Sequence, residues 1–340
     1  MDKVMVGLSG GVDSVVSALL LKKAGYEVIG ATMKLLNSET PNIEEICKQL
    51  EIKYLELDYT KYFQKEVIDY FANEYSKCRT PNPCIVCNKK FKFGKFYQYA
   101  KENDIKYIAT GHYAKIEYSD KYQRYVLKKS NNLLKDQSYF LYNIDKEILP
   151  YILFPLANYH DKDDIRQIAK DNQLSVHSKS DSQDICFIKD NDYKKFLKDH
   201  DYVKENPGNI ILNNQVIGTH LGLYKYTIGQ RRGLGIAYQE PLYVTGFNPE
   251  KNELYVGLEK DLYKKKFQVI DYNLLLVDEI TEPILVDVKV RYKSQAKKAY
   301  IKVVEDFIEV TYLEAQKGVT PGQSAVFYVD DIVLGGGVIK

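Results

Sequence analysis

Ser9-Gly10-Gly11-Val12-Asp13-Ser14 follows directly on the apolar run Val4-Met5-Val6-Gly7-Leu8 and leads straight into an amphipathic segment. A strand that turns through two glycines into a helix lets the backbone come close to an anion. The helix start then meets that anion with free N–H groups and the positive end of its dipole. Gly7, Leu8, Ser9, Gly10, Gly11, Val12, Asp13 and Ser14 are therefore the candidate phosphate cradle, with Asp13 offering a Mg²⁺ contact and Ser14 a hydroxyl donor. The loop lacks the Gly-Lys-Ser/Thr ending of a Walker A element and the spacing of Gly-x-Gly-x-x-Gly, which counts against γ-phosphate hydrolysis and dinucleotide binding. What remains is a site that grips the β,γ-pyrophosphate while the α-phosphate reacts. The bland alternative is an ordinary Gly-Gly turn before a helix, and the flanking strand and helix count against it.

Around this loop the pattern predicts βαβ repetition. Strands are expected at Val4 to Leu8, Glu27 to Met33 and Lys53 to Leu57, with a later one ending in Tyr107-Ile108-Ala109-Thr110-Gly111-His112. Helices are expected from Asp13 to Ala24, closed by Gly25, and from Ile43 to Leu50. Such alternation implies a parallel sheet whose post-strand loops share one carboxyl edge, where ligands bind. Met33, Gly111 and His112 are thereby candidates to line the same nucleotide site, although a capping or core imidazole is an equal alternative for His112. After Asp201 helical periodicity disappears. Glycines from Gly208 to Gly246 punctuate short β-like stretches, and alternating runs follow at Ile284 to Val290, Ala299 to Val304, Phe307 to Tyr312 and Ser324 to Val329. With the turn Thr320-Pro321-Gly322 and the glycine run Gly335-Gly336-Gly337 among them, these short strands at regular spacing suggest a small β-barrel.

The expected architecture is an α/β parallel-sheet nucleotide-binding domain (1–201), a small central β-rich domain (202–265) and a C-terminal β-barrel (266–340). With 340 residues, of which 45% are hydrophobic and 28% charged, the chain is long enough for such a division. No apolar stretch reaches the ~18 residues of a membrane helix and the start is already strand-like, so a cytoplasmic protein with no membrane association is expected. The net charge of +2 requires any nucleic-acid affinity to come from local patches. Basic stretches lie at Lys89 to Lys95, Lys264 to Lys266 and Lys289 to Lys298, each of which taken singly reads as a solvated face.

Five cysteines in a chain of this kind speak for metal or redox chemistry rather than a disulfide scaffold. Cys84 and Cys87 are three residues apart in Thr80-Pro81-Asn82-Pro83-Cys84-Ile85-Val86-Cys87-Asn88, and Cys186 lies in Asp181-Ser182-Gln183-Asp184-Ile185-Cys186-Phe187-Ile188. The C-x-x-C spacing suits a metal or a redox pair equally. Cys47 sits on a helical apolar stripe and reads as a packed core thiol; Cys78 is left as a fourth ligand, a resolving thiol or a surface residue.

Loop, cysteine segments and glycine-rich middle together resemble the tRNA-specific 2-thiouridylases over nearly the whole chain. The specific stretches are Asn82 to Asn88, Thr110-Gly111-His112-Tyr113-Ala114, Leu134 to Leu141, Ser182 to Ile188, Gly218 to Tyr224, Tyr226 to Ile236, Val290-Arg291-Tyr292 and Thr320 to Ala325. The resemblance implies ATP and Mg²⁺ in the loop, with Met33 and Gly111 against the adenosine. It further implies adenylation of the wobble uridine (U34) in a tRNA anticodon loop, then replacement of its O2 by sulfur, releasing AMP and pyrophosphate. Cys87 would be the catalytic thiol and Cys186 the carrier of sulfur from a donor protein or from sulfide. Asn82, Pro83 and Cys84 would meet the target base, while His112, Lys135, Asp136, Gln137, Arg291, Tyr292 and Gln323 match tRNA-contacting positions. Lys135, Arg231, Arg291 and Lys293 are the expected backbone-positioning cations.

The chain departs from one common form of the family pattern at Cys84, where many members carry aspartate. The aspartate form implies a persulfide and transient disulfide on Cys87 and Cys186. Three cysteines imply instead a [4Fe–4S] cluster on Cys84, Cys87 and Cys186 with one open iron to bind hydrosulfide, or zinc held by the three together with Cys78. Rival classes are other ATP pyrophosphatases acting on tRNA or a small molecule, and an RNA-binding module with a vestigial loop; the intact loop and thiols count against the second.

Overall fold

The computed structural model describes residues 1–37, 42–176 and 185–340; Asp181, Ser182, Gln183 and Asp184 of the third cysteine segment lie outside the described residues. Val4, Met5 and Val6 are fully buried, as expected of a strand covered on both faces, and Lys3–Gly7 forms the middle of an all-parallel five-stranded sheet. Its order is Lys53–Asp58, Glu27–Lys34, Lys3–Gly7, Tyr107–Ala109, Ile152–Leu153. The chain moves outward from Lys3–Gly7 on one side and then returns to its other side. The switch point therefore falls between Lys3–Gly7 and Tyr107–Ala109, and both the Ser9–Ser14 loop and Gly111-His112 emerge there.

The helix Val12–Lys23 leaves the loop with Asp13 in its first turn and Lys22 and Lys23 in its last, in the sense the dipole favours. It stops at Gly25, whose φ of +87° turns the chain back toward the sheet. On the neighbouring strand a Cβ at Gly30 would stand 2.7 Å from both Cys47 Sγ and Leu8 Cδ1, so the helix Ile43–Gln49 is seated on bare backbone there. Cys47 is the packed thiol its helical stripe predicts, 1% exposed, and burial pushes it up to about 11.

The central region forms a four-stranded sheet from Gly208–Leu212, Gln215–His220, Tyr243–Asn248 and Glu253–Gly257. The C-terminal region closes six strands into a barrel, because Lys264–Leu274 pairs with both Phe307–Gln316 and Ile332–Ile339. Two features go beyond the sequence-based expectation. Gly335, Gly336 and Gly337 lie inside the strand Ile332–Ile339, where a Cβ would meet Asn273 O at 2.2 Å, Ala325 O at 2.6 Å or Val269 Cγ1 at 2.6 Å. Backbones approach so closely at the barrel seam that only glycine passes. In addition, a hairpin of Ala114–Ser119 and Arg124–Lys129 extends the barrel sheet through the bridge Ile332–Lys128, tying the N-terminal region to the barrel.

Candidate active site

The loop is held from within. Ser14, 4% exposed, donates from Oγ to the Gly11 carbonyl at 2.9 Å and accepts from the Ser9 amide at 3.2 Å. Gly10 takes a φ of +75°, which favours glycine. Asp13 is engaged at both carboxylate oxygens: Tyr113 donates its hydroxyl to Oδ1 at 2.8 Å and Lys162 donates to Oδ2 at 3.0 Å. The Mg²⁺ contact expected of Asp13 thus competes with two protein partners. Lys162, which opens the helix Lys162–Asp171 and is 7% exposed, carries no motif that marks it in the sequence.

Gly7, Met33 and Thr110 meet at the strand ends: a Cβ on Gly7 would stand 3.5 Å from Met33 Cε and 3.6 Å from Thr110 Cγ2. Gly111 abuts the loop itself, since its Cβ would lie 2.8 Å from the Asp13 carbonyl carbon and the Ser14 nitrogen. His112 is buried between Phe93 and Phe154, with ring centroids 5.8 and 5.9 Å away. Its Nδ1 is 2.7 Å from Thr110 Oγ1 and its Nε2 is 3.4 Å from Lys92 Nζ. An ammonium only donates, so Nε2 accepts and the Nδ1–H donates to Thr110. Burial, assisted by the Lys92 charge, holds this imidazole well below the ordinary histidine range and keeps it neutral.

Lys92 joins the nucleotide edge to the thiols. It lies five residues after Cys87 in a helix that runs Pro83–Cys87, Asn88–Lys95, Phe96–Glu102, with the middle stretch π-helical. In an α-helix, residues five apart are turned by roughly 140°; an i→i+5 helix brings them back toward one face. Gly94 permits the wide turn, because a Cβ there would strike the Lys89 carbonyl oxygen at 2.7 Å. Cys87 packs partly against a cluster containing Phe63, Phe71, Phe91 and Phe187, and the Phe187 ring, 5.3 Å from Phe71 and 6.0 Å from Phe63, carries Cys186 with it. Crowding by protein raises all three thiols, Cys87 to about 12; Lys92 opposes the rise at each, and Cys84 and Cys186 add to the rise at Cys87.

Cys84, Cys87 and Cys186 are thus free thiols in one electrostatic neighbourhood. They match a cluster in donor type but not in placement: among the described residues no three Cys, His, Asp or Glu side chains are grouped closely enough to hold a metal ion. The cluster and zinc expectations therefore find no support in this arrangement. Cys78 acts elsewhere. With φ of +57° it closes the helix Tyr70–Ser76, its amide donating to Tyr75 O at 3.0 Å while the Arg79 amide donates to Glu74 O at 2.9 Å.

The residues expected to meet tRNA fall into two groups. Asn82 and Lys135 are half-buried and Cys84 is exposed, while Arg231 and Lys293 stand exposed. Tyr292 is half-buried, its ring 4.6 Å from Phe140 with Lys289 5.6 Å above it. The others are engaged internally. Asp136 is buried and accepts from the Ser130 amide and the Ser138 hydroxyl; Gln137 Oε1 accepts from the Tyr113 amide at 3.0 Å. Arg291 donates to Thr320 Oγ1 at 2.7 Å and Ile228 O at 3.3 Å, and Gln323 donates to Thr80 O at 2.9 Å and Pro81 O at 3.4 Å. Pro83 is buried at the first position of its helix, where the missing N–H costs nothing.

Comparisons with known proteins follow the same three-part division. The family model described as tRNA methyl transferase HUP domain matches residues 2–190, the tRNA methyl transferase PRC-barrel domain 194–258 and the Aminomethyltransferase beta-barrel domain 264–339. Among solved structures, the NMN synthetase from Francisella tularensis is 16% identical with a TM-score of 0.33, over 53% of this chain and 66% of that one. The tRNA-specific 2-thiouridylase MnmA of Clostridioides difficile (strain 630) is 44% identical over 354 residues, 99% of this chain and 98% of that protein. That of Acetivibrio thermocellus is 44% identical over 356 residues, covering 99% of each.

Proposed function

Because this chain belongs to the tRNA-specific 2-thiouridylase family, we propose that its thiols and its nucleotide loop act in sequence on one tRNA base. The activity is tRNA-uridine 2-sulfurtransfer at the wobble position, driven by ATP. The observation that carries the residue assignment is the unbroken run of contacts from Ser14 and Asp13 through Gly111 and His112 to Lys92, whose charge acts on Cys84, Cys87 and Cys186.

In the first step the uridine O2 attacks the α-phosphate, the bond to the β-phosphate breaks and pyrophosphate leaves. The loop amides and Ser14 hold the pyrophosphate end, and Met33 and Gly111 bound the adenosine. Mg²⁺, when bound with ATP, neutralises phosphate charge. In the second step the terminal sulfur of a persulfide on Cys186 attacks C2 and AMP departs with the former O2. The Cys87 thiolate then attacks Cys186 Sγ, which releases the thiolated base and leaves a Cys87–Cys186 disulfide for a cellular dithiol to reduce. The sulfur reaches Cys186 from a sulfur-donor protein. The base must leave its stack to reach the pocket, where Asn82, Pro83 and Cys84 meet it. Lys135, Arg231 and Lys293 hold the backbone, with His112, Asp136, Gln137, Arg291 and Tyr292 shaping the surface it enters.

We read 1–201 as the catalytic unit, 202–265 as the tRNA-binding unit and 266–340 as the barrel, working in the cytoplasm, where free thiols persist. No helix among the described residues is long and apolar enough to cross a membrane. The test is release of labelled pyrophosphate that requires tRNA. It should disappear in Ser14→Ala while the protein still folds; thiolation without ATP consumption overturns the mechanism. Iron and acid-labile sulfide measured on anaerobically prepared protein, beside Cys84→Asp, separate the two sulfur routes. Iron-free protein that thiolates, with Cys84→Asp active, supports the cysteine route; loss of activity together with about four irons per chain establishes the cluster.

A further inference from the structure

The barrel turn Thr320–Ser324 reaches out of the barrel to the segment that leads into Asn82 and Pro83. The Thr80 amide donates to Pro321 O at 2.9 Å, and both amide hydrogens of Gln323 are directed to the carbonyls of Thr80 and Pro81. Arg79 Nη2 donates to Ile339 O at 3.3 Å, and Ile339 is itself paired to the turn through the Gly322 and Gln323 main chain. Gly322 has φ of +89°, and a Cβ there would stand 2.8 Å from the Thr80 nitrogen and 3.0 Å from its oxygen. One residue further, Ser324 accepts at its carbonyl from the Tyr139 hydroxyl at 2.9 Å, and Asn82 hydrogen-bonds the same hydroxyl. Thr320 takes the Arg291 guanidinium, which also holds Ile228 of the central sheet region.

Three consecutive barrel residues, Pro321, Gly322 and Gln323, thus grip the segment immediately ahead of Pro83 and Cys84, although some 240 positions separate the two in the chain. We propose that this turn is the clamp that sets the position of the Asn82–Cys84 segment, with Gly322 and Gln323 as its positioning residues. Gln323 serves the reaction through Thr80 and Pro81, because its two donors are committed to them. The barrel consequently does more than hold RNA: whatever displaces the turn displaces the first turn of the helix that carries Cys84 and Cys87. The proposal rests on the thiolation activity for its rate measurement only.

Gln323→Ala and Gln323→Glu test it, the second being an isostere that replaces the donor by an acceptor facing two carbonyls. Both variants should keep the melting temperature within a degree or two and bind tRNA within about twofold of the parent. Both should lower kcat at saturating tRNA by at least about tenfold, as small misplacements of reacting groups do. The rate of Cys84 alkylation by iodoacetamide, measured without tRNA or ATP, should change at least about threefold in both as the segment is released. Gly322→Ala should behave alike if it folds. A variant that binds tRNA at least about tenfold more weakly, with kcat and Cys84 alkylation unchanged, overturns the clamp and makes Gln323 a plain RNA contact. Unchanged alkylation together with unchanged kcat overturns it as well. Because alkylation needs no turnover, a failure of the thiolation assignment leaves this readout intact.

Discussion

Gly111→Ala probes the nucleotide edge through a single methyl group. Its Cβ would lie 2.8 Å from the Asp13 carbonyl carbon, 2.8 Å from the Ser14 nitrogen and 3.0 Å from Asp13 Cβ. These atoms belong to the main chain or are fixed to it, so no rotamer change relieves the clash. Restoring the 3.4 Å at which ordinary contact begins moves the loop or the strand end by about 0.6 Å. Overpacking of this kind costs ~1–3 kcal/mol, which corresponds to about 2–4 °C of melting temperature per kcal/mol for a unit of this size. Where the displaced loop is also the phosphate cradle, each 1.4 kcal/mol lost from binding lowers ATP affinity about tenfold. The assay pairs calorimetric melting with titration of a non-hydrolysable ATP analogue and tRNA-dependent pyrophosphate release. Gly11→Ala is the control for melting: its Cβ would meet only Ser9 Oγ, at 3.5 Å, and its φ is −87°. Gly111→Ala protein that melts and binds ATP like the parent refutes the packing argument.

Other substitutions read neighbouring parts of the site. Lys162→Met leaves the Asp13 carboxylate with Tyr113 and should cost ~1–3 kcal/mol in urea unfolding, a loss absent if the pair is only peripheral. His112 is held neutral, so the folded state resists protonation: stability is full above the ordinary value of 6.5 and should fall by about 1.4 kcal/mol per pH unit below it. His112→Asn should flatten that limb, and an unchanged acid slope counts against the neutral imidazole. Cys87, raised to about 12, should react with iodoacetamide at a rate still climbing about tenfold per pH unit beyond pH 9, read by peptide mass spectrometry; a plateau below 9 contradicts the burial of the thiol.

What the sequence disclosed was what is local along the chain. The Ser9–Ser14 loop, its flanking strand and helix, and the switch-point position of Gly111 all follow from short stretches whose periodicity and glycines act on near neighbours. Lys92 was hidden in a basic stretch that reads as a solvated face, because only the π-helical turn and the missing Gly94 side chain point it toward His112 and the thiols. Lys162 was hidden more deeply, since pairing with a residue 149 positions away leaves no trace in local pattern. The role of Gly335 to Gly337 was not legible, because their requirement is close approach by Asn273, Ala325 and Val269, which a one-dimensional pattern cannot display. Asp136 and Arg291 illustrate the reverse: polar residues that a family pattern assigns to RNA are found bonded within the protein.

The charge around the thiols constrains how they are used. Protein crowding raises Cys84, Cys87 and Cys186 together, and each thiolate formed makes the next less favourable, as the mutual influence at Cys87 shows. Among the described residues, Lys92 is the cation that opposes the rise at all three. It has no carboxylate paired with it among those residues, and its recorded hydrogen-bond partner, His112, is neutral. One ammonium balances one thiolate. A persulfide on Cys186 followed by attack from Cys87 ionises one sulfur at a time, and Lys92 can serve each in turn. A cluster requires three deprotonated ligands at once, so its iron would have to supply the positive charge that this pocket does not. The serial route is therefore the one whose charge the protein's own Lys92 can balance.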